Sequence, residues 1–390
     1  MQPWNTFVEG DNLEVLPRLA PAYGPFDVVY LDPPYNTGNP FAYKDKVDGR
    51  RADRHRTWAA MMRPRLEAVR EVMTARGAVF VSIDDHEVAH LRLLMDDVFG
   101  EDQFVAQVVV NLNPKGRQLG WGFATSHEYL MVYARSLPQC ALDASSTSQV
   151  DPRDFPLSTD DGRRYRRLPL RNTNKKFNPV TAPTMHFAIH GSPETGRVST
   201  EPFAGSLEIK PVFGDGAPAV WRWSAAKIAA QPDDLVCRWV GKAEQRRPDV
   251  FQRDWLHEGR RKKLRTIWLS EEVGSTDTAV MELKALVGHL FESPKPTGLL
   301  RRILETMPED ARVLDPFAGS GTTGHAVALA NAADGGRRTC VSVNSPEPVR
   351  SGSNADLAGH ARVSDVTRAR LRAVADVLGG GFVEIAPHKS

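Results

Sequence analysis

The sequence predicts an α/β fold, a largely parallel sheet interrupted by an inserted module. Three observations carry this. Short apolar strands alternate with helix-period segments through residues 1–135. The same alternation returns after Ser275. Between them the helical period vanishes while Pro, Gly, Arg and Trp become frequent. Strand–helix alternation of this kind is the signature of βαβ units and a parallel sheet. The chain therefore divides into a first half-domain at 1–135, an insertion at 136–269 and a second half-domain at 270–390.

Taken in order, Thr6–Glu9 reads as a strand running into Gly10-Asp11-Asn12 and a short helix around Leu13–Leu19. Val28-Val29-Tyr30-Leu31 is a short buried strand, followed by a polar loop from Asn36 to Arg56. Met61, Met62, Leu66, Val69 and Val72 recur at helical spacing, with Gly77 as the stop signal. Ala78–Ile83 is a buried strand, and Asp84 or Asp85 is placed to cap a helix with the stripe Val88, Leu91, Leu94, Met95 and Val98. Strands at Val105–Val110 and Tyr129–Tyr133 flank a Gly-rich loop. Past the insertion, Lys295-Pro296-Thr297 opens a helix, Arg312–Leu314 is a strand and Thr322–Ala332 a helix. Thr339–Val343 is the next strand and Val366–Leu378 the last helix.

The most informative four residues are Asp32-Pro33-Pro34-Tyr35, at the end of the strand Val28–Leu31. In open α/β sheets ligands bind at the carboxyl ends of the strands. Asp32 offers a carboxylate that accepts hydrogen bonds from an amine. The prolines have fixed φ and lack N–H groups, so the turn is stiff and presents only carbonyl acceptors. Tyr35 supplies a flat face for stacking. Together they suit a planar group bearing an –NH2, with a nucleobase the obvious candidate; a Pro pair that merely ends a strand is the bland alternative.

A second stretch, Val313-Leu314-Asp315-Pro316-Phe317-Ala318-Gly319-Ser320-Gly321-Thr322-Thr323-Gly324, sets G-x-G-x-x-G between a strand and a helix. Glu347 follows the next strand, where an acid can hold ribose hydroxyls. Taken alone, that fingerprint suggests a nicotinamide dinucleotide. No Lys follows Gly324, so a P-loop fits poorly. Asp315 at the strand end faces a cation better than a pyrophosphate, and the Asp32 clamp calls for a second substrate carrying an amine. A sulfonium donor fits both requirements.

Composition narrows the class. At 390 residues the chain has room for two or three domains, and no apolar run approaches a membrane span. Cys140, Cys237 and Cys340 are far apart, which argues against a disulfide framework or zinc site and fits a reducing cytoplasm. The net charge of +2 does not by itself indicate nucleic acid. Its distribution is more telling. No acid lies between Asp161 and Glu194, yet Arg163, Arg164, Arg166, Arg167, Arg171, Lys175 and Lys176 do. Arg260–Lys263 and Arg265 form a second cluster, and Trp221, Trp223, Trp239 and Trp255 are interleaved with basic residues. A solvated basic face is the alternative to phosphate binding.

The paired elements resemble the amino-group DNA methyltransferases that use S-adenosylmethionine. With Asp-Pro-Pro-Tyr first, the basic insertion next and Phe-x-Gly-x-Gly last, the order looks like the β-class circular arrangement. Longer stretches are similar to the modification (Mod) subunits of type III restriction systems: Gly10–Leu16, Leu31–Gly38, Val81–Asp85, Leu170–Pro179, Phe291–Pro296 and Ala318–Val327, with Asn331 and Asp334–Arg337 downstream. The resemblance implies a Rossmann-like, circularly permuted methyltransferase sheet with a target-recognition domain at 136–269. It implies that Asp11 contacts the cofactor's adenosine part and that Lys295 lies beside its carboxylate. Asp315, Phe317, Gly319, Gly321, Thr322 and Glu347 would complete the pocket. Asp11 is equally suited to capping a helix, and Lys295 to being a solvated charge. Implied partners are double-stranded DNA, a second copy in a homodimer and a restriction (Res) subunit; the chain is shorter than typical Mod subunits, a departure that bears on the last two.

The expected reaction is methyl transfer to an exocyclic base amine, with Asp32 and the Pro33 carbonyl accepting its protons and Tyr35 stacking the flipped base. No metal is expected. Asn36, Thr37 and Gly38 would shape the loop over the base. Asp at the start of the clamp is usual in adenine-specific relatives, so adenine N6 is the first choice. Cytosine N4 poses the same chemical problem. A protein methyltransferase acting on a glutamine amide also uses a Pro-Pro-Tyr clamp, but the basic insertion and the β-class order count against it.

Overall fold

The computed structural model describes residues 4–37, 51–116, 122–149, 151–242, 246–257 and 261–385. Contacts divide the chain into two units, residues 1–147 with 263–390, and residues 148–262.

The first unit is built on a nine-stranded sheet. Its strands in chain order are β1 (Asn5–Glu9), β2 (Phe26–Leu31), β3 (Met73–Ile83), β4 (Phe104–Val110), β5 (Glu128–Ala134), β6 (Ile267–Trp268), β7 (Arg312–Asp315), β8 (Thr339–Asn344) and β9 (Phe382–Ile385). Across the sheet they run β6-β4-β5-β3-β2-β7-β8-β1-β9. From β3 to β9 every neighbouring pair is parallel. β5 is antiparallel to both β3 and β4. The helices that matter for the site are α1 (Asn12–Tyr23), α2 (Arg51–Glu71), α3 (Val88–Phe99), α4 (Thr276–Val287), α5 (Thr297–Leu304), α6 (Thr322–Asp334) and α7 (Val363–Leu378).

Strand alternation decides which residues face which layer. Val29, Leu31, Val79, Val81, Leu314 and Val341 pack with Leu16, Met62, Leu66, Leu91 and Met95 of α1–α3. Val28, Tyr30, Ala78, Phe80, Val313 and Cys340 turn the other way, onto Leu299, Leu300 and Ile303 of α5 and Ala326 and Val327 of α6. β2 and β7 are adjacent, Val28 opposite Val313 and Val29 opposite Leu314. From β2 the chain crosses to β3, and from β7 to β8 on the opposite side. Their carboxyl ends therefore flank a topological switch point, the usual place for a ligand crevice.

Several local expectations need correction. α2 ends at Glu71 and Gly77 lies inside β3, beside a register shift against β2. A Cβ there would stand 3.0 Å from the Phe26 carbonyl oxygen, so the glycine answers a close backbone approach rather than a helix stop. Neither Asp84 nor Asp85 is the N-cap of α3: Asp84 instead accepts from the His86 N–H, and Glu87 occupies the cap position with its side chain turned inward. α2 already starts at Arg51, within the expected polar loop; Gly38 and most of that loop lie outside the described residues. The insertion is shorter than composition suggested. Residues 136–147 and 263–269 belong to the first unit, where Ile267 and Trp268 pair with Val109 and Val110.

The second unit carries a four-stranded antiparallel sheet in the order Leu235–Val240, Arg247–Trp255, Arg164–Pro169, Leu157–Ser158, and a three-stranded one from Val198–Ser199, Ile189–Gly191 and Leu207–Ile209. Its core gathers Leu170, Ile189, Ile209, Trp221, Trp223, Cys237 and Val250. Two of the tryptophans seen among basic residues are thus core residues.

The third glycine of the fingerprint serves packing. A Cβ on Gly324 would lie 2.5 Å from both Asn5 Oδ1 and Leu371 Cδ2, and the Gly324 carbonyl accepts from Asn5 Nδ2 at 3.2 Å. Gly324→Ala is expected to destabilise the protein by roughly 1–3 kcal/mol through overpacking; equilibrium urea unfolding measures it, and an unchanged midpoint would contradict this packing.

Candidate active site

The carboxyl ends of β1, β2, β7 and β8 open onto one cavity of about 420 Å³. Asp11 and Asn12 line it beyond β1, Asp32 and Pro34 beyond β2, Asp315–Ser320 beyond β7, and Asn344, Ser345 and Glu347 beyond β8. Arg65 of α2, Phe291 and Ser293–Lys295 close the remaining sides.

Most of the expected cofactor residues therefore meet: Asp11, Lys295, Asp315, Phe317, Gly319, Thr322 and Glu347 all line this cavity. Gly321 sits behind it, against Thr367 and Leu371 of α7. Gly319 and Gly321 have φ of 49° and 79°, the left-handed region that favours glycine. Asp11 does cap α1, accepting from Leu13 N–H at 2.8 Å, and its other oxygen takes Arg65 at 3.2 Å. The Thr322 hydroxyl is spent on protein, donating to the Lys295 carbonyl at 3.2 Å and accepting from Arg370 at 2.8 Å.

Asp315 is almost fully buried. Burial pushes its carboxyl up to about 7, against hydrogen bonds from the Thr323 hydroxyl and the Phe317 N–H. Under the glycine loop lies Arg370, fully buried, donating to Ser320, Thr322 and Nδ1 of His325. Burial lowers its pKa to about 10, and lowers His325 to about 3 with help from the Arg370 charge, so the imidazole is neutral and accepts. Arg370 was not singled out from sequence. Its signal was position: it lies in the stripe Val363, Val366, Thr367, Leu371 and Val374 that turns inward from α7.

The clamp is more crowded than the sequence suggested. The Tyr35 hydroxyl donates to Asp32 Oδ1 at 2.9 Å and to Glu128 Oε2 at 3.3 Å. Lys295 Nζ lies 2.8 and 3.0 Å from the two Asp32 oxygens, 3.6 Å from Glu128 Oε1 and 4.9 Å from the Tyr35 ring centroid. Burial pulls the Lys295 ammonium down, but Asp32 and Glu128 outweigh it and hold its pKa above the ordinary value. Burial pushes Glu128 up to about 7; Lys295 opposes this and Asp32 adds to it. The Trp58 indole, fully buried in α2, donates to the Pro34 carbonyl at 2.7 Å and fixes the turn. Beyond it Asn36, with φ of 60°, donates to buried Glu87 at 2.6 Å. Glu87 also meets His55 Nδ1 at 2.8 Å, and the His55 and His90 rings stack at 4.3 Å. These side chains bring ligand-type atoms within 4.8 Å of one another, but stacked imidazoles do not aim two in-plane lone pairs at one ion. Glu128, Lys295 as the partner of Asp32, and Glu87 were not read from sequence in these roles. Glu128 left one trace there, an acid opening an otherwise apolar strand.

The charge balance decides between ligands. Asp11, Asp32, Asp315 and Glu347 line the cavity, while its two cations, Arg65 and Lys295, are each paired to a carboxylate. That surplus of acid suits a ligand carrying a sulfonium and an ammonium, and opposes the pyrophosphate of a dinucleotide.

An α/β sheet with this pocket and this clamp defines an S-adenosylmethionine-dependent methyltransferase. The chain belongs to the N6/N4 DNA methylase family, which it matches over residues 26–333. It is 32% identical over 374 residues to the type II methyltransferase M.KpnI of Klebsiella pneumoniae, spanning 94% of this chain and 87% of that one. It is 32% identical to the EcoPI Mod subunit of Escherichia phage P1 and 30% identical to the StyLTI Mod subunit of Salmonella typhimurium, over 95% of this chain in each case. It spans only 62% and 57% of those two relatives. Among solved structures, the cytosine-N4-specific PvuII DNA methyltransferase aligns over 98% of this chain and 97% of its own at 11% identity, with a TM-score of 0.42. That degree of likeness has no bearing on the target base. Among the described residues no helix is long and apolar enough to cross a membrane.

Asp315 gives the site a pH signature. Its folded pKa is raised, so its contribution to stability is complete below the ordinary carboxylate value and lost as pH rises through about 7. Asp315→Asn cannot ionise. Relative to wild type, the variant should gain roughly 2–4 kcal/mol between pH 5 and pH 8. Denaturant titrations at the two pH values test this, and a pH-independent difference would count against a buried, protonated Asp315.

Proposed function

We propose that this chain methylates the N6 amine of adenine in duplex DNA, at a specific site, in a restriction–modification setting. One observation carries the reading: the Asp32 clamp and the Asp315–Gly319 loop open into one cavity from adjacent strands. Asp11, Asp315, Phe317, Gly319 and Glu347 would hold S-adenosylmethionine, which supplies an electrophilic methyl on a sulfonium. The chain's own part is to present the amine. An exocyclic nitrogen is a poor nucleophile because its lone pair is delocalised into the ring. Asp32 and the Pro33 carbonyl are assigned to its two protons; accepting them draws the lone pair toward the methyl. The Pro34 carbonyl is already engaged by Trp58. The base must leave the helix to reach this depth and stacks on Tyr35, whose hydroxyl is fixed to Asp32. Positioning then carries much of the rate. Adenine over cytosine rests on the resemblance of an Asp-headed clamp to adenine-specific relatives. A homodimer and a Res partner rest on the likeness to Mod subunits.

We assign DNA contact to the second unit, with a revised set of residues. Arg163 pairs with Asp161, Arg166 with Asp254, Arg171 with Asp249 and Lys175 with Asp215. For Arg164, Arg167 and Lys176, all exposed, no ion pair is found among the described residues. These three are the better candidates for phosphate, which positions DNA while base edges specify sequence; Arg164 and Arg167 lie on opposite faces of their strand, so each is a separate candidate contact.

With labelled S-adenosylmethionine and unmodified bacterial DNA, nucleoside mass analysis should show N6-methyladenine. N4-methylcytosine would move the target base, and label confined to protein would overturn the reading. Asp32→Ala should reduce transfer at least about 100-fold, with cofactor affinity in equilibrium dialysis nearly unchanged. Near-normal turnover would remove Asp32 from the chemistry.

Combined Arg164→Ala, Arg167→Ala and Lys176→Ala should weaken DNA binding and flatten log K against log salt by about 0.9 per lost phosphate contact. Arg166→Ala and Arg171→Ala should instead lower the melting temperature. An unchanged salt slope in the triple variant would put the DNA elsewhere.

A further inference from the structure

Protein donors already occupy most of the Asp32 carboxylate. Oδ1 takes the Tyr35 hydroxyl at 2.9 Å and Lys295 Nζ at 2.8 Å, and Oδ2 takes Nζ at 3.0 Å. An uncharged base amine is a weaker donor than an ammonium. While the ammonium sits on Asp32 it offsets the negative charge that would draw the amine's protons, so Lys295 needs somewhere to go.

A second carboxylate stands ready. Glu128 Oε1 is buried, has no hydrogen-bond donor within 3.5 Å among the described residues, and lies 3.6 Å from Lys295 Nζ. A shift of the ammonium by about 0.8 Å would bring that pair to charge-assisted hydrogen-bond length. Oε2 is held by the Tyr35 hydroxyl, so the carboxylate is already oriented. The Lys295 side chain is only 11% exposed, so its charge has to remain beside an acid when it leaves Asp32.

We propose that Glu128 is a positioning residue that draws Lys295 off Asp32 as the target base enters, leaving Asp32 free for the amine. The proposal rests on Asp32 as the amine acceptor. Glu128 touches neither methyl nor base, and no covalent step is asked of it. It must be ionised to hold the ammonium. The groups that set its charge are Lys295, which favours ionisation, and Asp32 and Asp84, which oppose it; Tyr35 donates to it. Tyr30 feels both acids and is itself held neutral by burial. Because the Glu128 carboxyl is pushed up to about 7, the transfer competent form appears as pH rises through neutrality.

The test uses the full chain and single-turnover transfer of labelled methyl to unmodified bacterial DNA. In the wild type the rate should rise several-fold to roughly tenfold from pH 6 to pH 8; Asp315 also titrates near 7, so the part that Glu128→Gln removes is the part assigned to Glu128. Glu128→Gln should lower the rate about 10- to 100-fold and erase that rise, with cofactor affinity within about twofold. In a Lys295→Met background there is no ammonium to move, so adding Glu128→Gln should cost less than about twofold. A Glu128→Gln enzyme with wild-type rate and pH profile overturns the proposal, as does an equal loss in both backgrounds. If Glu128→Gln fails to fold, the Lys295→Met profile decides: the Glu128 part of the rise should be absent there, and a flat wild type from pH 6 to pH 8, or an equal rise in Lys295→Met, overturns the proposal. A wild type that labels no DNA, or an active Asp32→Ala, fells the underlying reading instead.

Discussion

The parallel ladder between β2 and β7 joins segments from opposite ends of the chain and makes the site possible. Val28 faces Val313 and Val29 faces Leu314, so the two strands finish side by side. Asp32 and Pro34 beyond β2 then line one cavity with Asp315–Ser320 beyond β7. The ladder is anchored at its far edge by Asp27, which is fully buried. Its carboxylate accepts from Thr74 and Arg76 of β3 and from the Arg312 N–H of β7. Burial alone would raise its pKa; hydrogen bonds from Arg76, Arg312 and Thr74 outweigh that and keep it low. Three strands are thus tied where no chemistry occurs, leaving the opposite edge free to carry it.

That arrangement crowds acids together, and the site resolves the crowding differently on its two sides. On the cofactor side Asp315 is buried without a cation and sits near neutrality in its titration. Hydrogen bonds from Thr323 and Phe317 fix its orientation. On the target side Asp32 and Glu128 share one lysine. The glycine loop between them would be a weak element by itself, since Gly319 and Gly321 both need positive φ. Arg370 supports it from below, and a neutral His325 completes the support. An arginine buried without a hydrogen-bonded carboxylate is costly; Glu282 stands 4.0 Å from Arg370. Its position directly beneath the loop gives that cost a local reason.

Much of this was legible in the sequence where a signal is local. Strand and helix alternation around Val28–Leu31, Ala78–Ile83 and Arg312–Leu314 is a property of a few consecutive residues, and those strands are found. Asp32 and Asp315 were legible because each ends such a strand. Pairing partners were not. The second unit shows why: no acid falls among its seven basic residues between Asp161 and Glu194, yet Asp254 and Asp249 reach Arg166 and Arg171 from the neighbouring strand. Period-2 alternation also sends Arg164 and Arg166 to one face and Arg167 to the other. A run of charge on a strand is therefore not a surface of charge. Likewise, Glu128 gains its meaning from β5 lying antiparallel beside β3, a neighbour relation that its flanking residues do not encode.

Lys295 links the two halves of the site mechanically. Its backbone carbonyl accepts from Thr322, the first residue of α6 after the glycine loop, while its ammonium holds Asp32. The next helix turn is pinned too, since Thr297 donates through both its N–H and hydroxyl to Glu282. The backbone at 295–297 is thus fixed from the cofactor side, and only the side chain retains freedom toward the target side. A hydrogen bond at each end of Lys295 thus connects the start of α6 with Asp32. This separates two tasks that a single carboxylate would otherwise have to combine. The folded protein needs Asp32 neutralised, because an unpaired charge at that depth among other acids is unfavourable. The proposed reaction needs the same carboxylate exposed to an amine. A lysine whose backbone is hydrogen-bonded to the start of α6 and whose side chain lies within reach of two acids satisfies the first need without forbidding the second.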